Sequence, residues 1–168
     1  KLYIMNQASP VYNILENQNI SFKEYSFEPS VFPPEKDFWI KNHLNRCKNL
    51  FFRDNHGKNH FLAVFNFYDK LDIKKLQQIT GRGSLTMASG WRLEKYLQLK
   101  PGKISVFGII NDNEKHVKII LDESLNNEKK LSFLANTESD LVAISFDNLK
   151  KFLDRSGHHY QVEKIIEE

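Results

Sequence analysis

Two β-rich runs facing each other across a four-residue turn constrain this chain more than any other feature. Cys47 to Asp54 and Asn59 to Asn66 carry the apolar and aromatic content of strands. Between them lies Asn55-His56-Gly57-Lys58, whose Asn and Gly suit the positive φ of a tight turn, so the spacing predicts a β-hairpin. Strand alternation puts Lys48 on the same face as Leu50 and Phe52.

The other segments are arranged around that hairpin. Ser9-Pro10 is a cap followed by a helix-opening proline, with Val11, Ile14 and Leu15 as the apolar stripe of a helix ending near Asn17 to Asn19. Ser21 to Phe27 reads as a strand. Pro34 is expected in the first turn of a helix carrying Phe38, Trp39, Ile40 and Leu44. Leu71 to Ile79 has helical spacing and is closed by Gly81 and Gly83; a further helix runs from Ser89 until Pro101-Gly102. Ile104 to Ile110 and Val117 to Leu121 are expected as strands about the turn Asn111 to Glu114, and Lys130 to Leu134 and Leu141 to Ser145 as two more. Ser145 then caps an amphipathic helix with Leu149, Phe152 and Leu153 inward and Gly157 at its end; His158 to Lys164 is expected as an edge strand. Hairpins interleaved with helices predict a mixed α/β (α+β) fold with a largely antiparallel sheet, not a doubly wound parallel one.

No linker or repeat divides residues 1–168, which read as a single domain large enough to bury its own core. Hydrophobic residues at 40%, charged residues at 27% and a mean hydropathy of −0.51 exclude disordered and membrane classes. No apolar run reaches bilayer length, and Lys1-Leu2-Tyr3-Ile4-Met5 lacks the apolar core of a secretory signal. Cys47 is the one cysteine, so no internal disulfide forms and a reducing cytoplasmic setting is the simplest expectation. A net charge of +3 permits a nucleic-acid partner without naming one. Lys74-Lys75, Lys129-Lys130, Lys150-Lys151 and Lys115-His116-x-Lys118 read either as solvated faces or as a phosphate-facing surface.

No phosphate-binding loop, dinucleotide fingerprint, nucleophile elbow or zinc-protease motif is present. Cys47 reads as a small core residue, His56 and His60 bracket a turn instead of forming a metal pair, and His158-His159 reads as a solvated end. Lys48 stands apart, a cation on an apolar strand face. It either snorkels to solvent from the strand end or holds a phosphate or developing oxyanion at the rim of an apolar pocket. Gly102-Lys103-Ile104-Ser105-Val106-Phe107-Gly108 is either a plain connection or a loop whose glycines bring backbone close to a ligand.

Lys48-Asn49-Leu50-Phe51-Phe52-Arg53-Asp54 followed by His60-Phe61-Leu62-Ala63-Val64 resembles the signature segment of the YbaK/ProX superfamily, the editing domains associated with prolyl-tRNA synthetase. Leu71 to Leu76, Ala88-Ser89 with Arg92-Leu93, Leu99 to Gly102, Phe107 to Asp112 and Val117 to Asp122 follow in the same order. The resemblance spans about residues 8 to 164 and is closest to the freestanding branch that clears alanine from tRNA(Pro). It implies a barrel-like mixed sheet surrounded by helices and hydrolysis of an aminoacyl ester at the tRNA(Pro) acceptor end. It implies no metal and no other cofactor; the terminal ribose hydroxyl helps activate water. Lys48 becomes the essential residue, with Asn49, Gly102, Ser105, Val106, Phe107, Gly108 and Leu134 around the substrate. Prolyl-tRNA synthetase is an implied partner, in trans or as the rest of a longer chain, and no membrane is involved.

Two positions depart from the family pattern. Val106 stands where a proline is usual, and Leu134-Ala135 replace a His-Pro pair. The leading expectation is therefore Ala-tRNA(Pro) deacylation. The alternatives are shifted specificity toward Ser or Cys, or a tRNA- or synthetase-binding module of the same fold with weak or no turnover.

Overall fold

The computed structural model describes residues 9–168, so the reading of Lys1 to Met5 lies outside the described residues. Among the described residues the α-helices are α1 (Pro10–Asn17), α2 (Lys36–Lys41), α3 (Ile73–Thr80), α4 (Gly90–Leu97) and α5 (Phe146–Ser156). The strands are β1 (Lys23–Ser26), β2 (Asn45–Asp54), β3 (His60–Asn66), β4 (Leu85–Met87), β5 (Lys118–Asp122), β6 (Leu131–Leu134), β7 (Asp140–Ile144) and β8 (Tyr160–Glu163). They pair in the order β1-β7-β6-β2-β3-β5-β8, with β4 also on β2. Four of these pairings are antiparallel and three parallel, the mixed sheet with helices that the segment pattern implies.

Local chemistry sets the helix ends. The Ser9 hydroxyl accepts the Val11 N–H at 2.9 Å with Pro10 as the first helical residue, and Val11, Tyr12 and Leu15 are buried. Ser145 likewise accepts from the Asn148 N–H at 3.1 Å, and Gly157 closes α5 at φ +79°, a conformation that suits a residue without Cβ. Gly81 does the same for α3 at φ +65°.

Four segments depart from the sequence reading. Residues 104–110 are not a strand: Val106–Asn111 winds as a 3-10 helix, because Ser105 accepts the Phe107 N–H at 3.2 Å and donates to the Leu134 carbonyl at 2.6 Å. Consequently β5 forms no hairpin with it and pairs in parallel with β3 and β8. Helix α4 stops at Gln98, earlier than Pro101, where Asn111 donates to the Leu97 carbonyl at 3.0 Å. Helix α2 begins only after Glu35, which leaves Pro34 and Leu44 outside it. His158 is no solvated end: it is buried and bonds Asp112 at 3.0 Å, while the same Asp112 oxygen accepts the Val117 N–H at 2.8 Å.

The main core packs α1, α4 and α5 against one face of the sheet, with Phe51, Leu62, Val64, Phe107 and Phe152 at its centre. A second cluster, under α3, covers the opposite face of the hairpin around Phe52, Phe61, Phe65 and Leu76. Trp39, Leu44, Leu141 and Ala143 form a third, beneath α2.

Candidate functional site

Strand β2 is bracketed unevenly along one edge. Its first residues, Asn45 and Arg46, pair with β6, and its last, Phe52 to Asp54, pair with β4. Between those contacts the edge belongs to no strand pairing, and there a cleft of about 360 Å³ opens. Cys47, Lys48, Asn49 and Leu50 form its floor, the Gly102 to Ile104 loop one wall, and Phe133, Leu134 and Leu141 another.

Lys48 is half-buried in this cleft, its Nζ 4.9 Å from the centroid of the Phe67 ring. Hairpin register explains the contact. Lys48 pairs with Phe65, and Phe67, two residues further, is its diagonal neighbour on the same face. Asn49 points to the other face, where its side-chain oxygen accepts the Val106 N–H at 3.0 Å. That bond ties the glycine-led loop to the strand and occupies one of the backbone donors that the sequence offers to a ligand.

Of the residues the sequence singles out, the structure brings Lys48, Asn49, Gly102 and Leu134 together at the cleft. Ser105, Val106, Phe107 and Gly108 are buried behind its wall. Phe107 packs on Phe133 and Phe152, and a Cβ on Gly108 would sit 2.7 Å from Leu99 Cδ1 and 3.0 Å from Leu97 Cβ, so the chain passes close to the end of α4 there. Gly102 is exposed at φ +81° with open space around it, so it serves the turn.

Two cleft cations escape the sequence reading. Arg46 lies between the Trp39 and Phe67 rings, and Lys103 sits 5.2 Å from the Phe32 centroid while donating to the Glu138 carbonyl at 3.0 Å. Period-two spacing from Lys48 is the signal that points to Arg46. The lysine pairs noted in the sequence do not line the cleft.

Among the described residues no carboxylate or imidazole lines the cleft, and burial pushes the Cys47 thiol up, away from the nucleophilic thiolate. His60 lies elsewhere, buried under Phe51 and Tyr96, its ring nitrogens bonded to Arg92 at 2.9 Å and to His116 at 2.8 Å. His56 is exposed and takes no part in that cluster. Among the described residues no group of three or more His, Cys, Asp or Glu side chains is placed to hold a metal ion, and no helix is long and apolar enough to cross a membrane.

A family model for the aminoacyl-tRNA editing domain matches residues 43–152. The chain is 30% identical over 163 residues to the prolyl-tRNA editing protein ProX of Acetoanaerobium sticklandii, covering 97% of this chain and 88% of that relative. Among solved structures, a candidate trans-editing enzyme for prolyl-tRNA synthetase superposes with a TM-score of 0.71 at 20% identity, covering 94% of this chain and 95% of the other. The hypothetical protein APE2540 gives the same TM-score at 14% identity, over 94% of this chain and 99% of the other. At those identities the two structures speak to the fold alone.

Proposed function

The chain belongs to the aminoacyl-tRNA editing domain family, and from that premise we propose that it acts as one cytoplasmic domain hydrolysing the ester of mischarged tRNA(Pro), Ala-tRNA(Pro) foremost. The observation that carries this reading is the lining of the cleft: Arg46 and Lys48 line it with no ion-pair partner among the described residues, Lys103 stands at its wall against Glu138, and no carboxylate of the described residues lines it. Such a cleft attracts the phosphate-bearing acceptor end of tRNA and repels free cationic ligands. Prolyl-tRNA synthetase, which supplies mischarged tRNA(Pro), is the protein partner that fits.

The family resemblance implies that the substrate itself helps activate the water. The ribose hydroxyl beside the ester orients the attacking water, water adds to the carbonyl carbon, and the ester C–O bond breaks to give the free amino acid and a ribose hydroxyl. Lys48 holds the terminal phosphate or the ester region and stabilises the oxyanion, a role worth about a hundred- to a thousandfold in rate. Asn49 acts by fixing the loop. Phe133, Leu134 and Leu141 supply an apolar wall for the aminoacyl side chain. Attraction to such a wall discriminates only about 1–3 kcal/mol per methylene, so proline is excluded by shape.

The test is a deacylation assay on Ala-, Ser-, Cys- and Pro-tRNA(Pro). Ala-tRNA(Pro) is expected to be cleaved, Pro-tRNA(Pro) spared, and Lys48→Ala slowed by about a hundredfold or more. Wild-type rates from Lys48→Ala overturn the site assignment. Salt-dependent tRNA binding with no ester cleaved identifies a binding module instead.

A further inference from the structure

Lys48 shares its aromatic neighbour with a second cation. Arg46 stands two residues earlier on the same face of β2, and Phe67, which donates its N–H to the Arg46 carbonyl at 2.9 Å, is its cross-strand partner. The Arg46 Cζ lies 3.8 Å from the Phe67 centroid and 4.4 Å from that of Trp39. Trp39 is itself fixed, because its Nε1–H donates to Ser132 Oγ at 3.2 Å and that hydroxyl donates to the Asn45 carbonyl at 3.2 Å.

This setting decides what the guanidinium can do. The guanidinium is packed against two aromatic rings, so what it offers a ligand in the cleft is its fork of N–H donors, matched to a phosphate. Burial also works against its charge, lowering its pKa from the ordinary arginine value, with Tyr68 opposing that shift. No ion pair to Arg46 or Lys48 occurs among the described residues. Two half-buried like charges about one ring repel each other unless an anion lies between or beside them.

We infer that Arg46 binds a phosphodiester of the tRNA acceptor strand upstream of the ester, a phosphate contact additional to whatever Lys48 holds. The inference rests on the reading that this cleft receives the 3′ end of tRNA.

Binding of uncharged tRNA(Pro) tests it without turnover. Arg46→Gln is expected to weaken binding about ten- to a hundredfold and to reduce the slope of log K against log salt by about 0.7 to 0.9. Acceptor-stem RNAs carrying a neutral methylphosphonate at each of the last linkages in turn locate the phosphate. At one linkage wild type and Arg46→Gln should bind alike, and at the others the difference should persist. In deacylation, the loss for Ala-tRNA(Pro) falls mainly on KM and exceeds the loss for 3′-alanyl-adenosine, which has no phosphate. Should Arg46→Gln fail to fold, Arg46→Lys carries the test: it keeps the salt slope and loses the fork, so binding drops several-fold. Equal affinity and slope for the variants and wild type overturn the inference, as does a penalty that survives every methylphosphonate. If wild type cleaves no ester yet Arg46→Gln still loses affinity and slope, the proposed activity fails and the phosphate contact stands.

Discussion

Replacing Asn49 by alanine separates holding the loop from touching the substrate. Val106 is fully buried, and its N–H has the Asn49 side-chain oxygen as acceptor at 3.0 Å. Asn49→Ala removes that acceptor from a donor buried behind the cleft wall, and an unsatisfied buried donor costs about 1–3 kcal/mol. A loss of about 2 kcal/mol in a domain of this size lowers Tm by about 4–8 °C. Asn49→Asp retains an oxygen at the same place and should recover most of that loss. Thermal melts of the three proteins, with deacylation measured well below every Tm, provide the comparison. An Asn49→Ala protein that melts with wild type but has lost activity refutes the loop-fixing role and moves Asn49 onto the substrate.

Two further outcomes follow from the packing. Gly108→Ala should destabilise by about 1–3 kcal/mol, because its Cβ would meet Leu99 Cδ1 at 2.7 Å and Leu97 Cβ at 3.0 Å; a urea midpoint matching wild type contradicts this. Stability should also fall in mild acid through His60. Arg92 has no acceptor, so the His60 nitrogen it meets must be unprotonated and the other nitrogen donates to His116. Burial, then the neighbouring His116 and Arg92, hold the His60 pKa down to about 4 from the ordinary 6.5. Between those values the unfolded chain binds more protons than the folded one, so stability drops as pH falls from about 6.5 to 4, by up to about 3 kcal/mol. Urea titrations across that range should show a shallower loss for His60→Gln; superimposable pH profiles exclude His60 as the source.

The sequence by itself determined the elements whose cause is local. The hairpin about Asn55 to Lys58, the Ser9 and Ser145 caps, the Gly81 and Gly157 stops and the face shared by Lys48, Leu50 and Phe52 all depend on residues a few positions apart. Tertiary structure decided the rest. Alternating apolar residues at 104–110 read as a strand, yet Asn49 and Leu134, distant in the chain, supply the bonds that turn the segment into a 3-10 helix. His158 looks solvated until Asp112, 46 positions away, meets it in the interior. Arg46 has an ordinary place in a strand; only the parallel pairing with β6, the fold of α2 and the return of Phe67 set it between two rings beside Lys48. Periodicity and capping act within a turn or two of chain, whereas strand direction, burial of charge and the gap between β6 and β4 are set by partners that meet only once the sheet has formed.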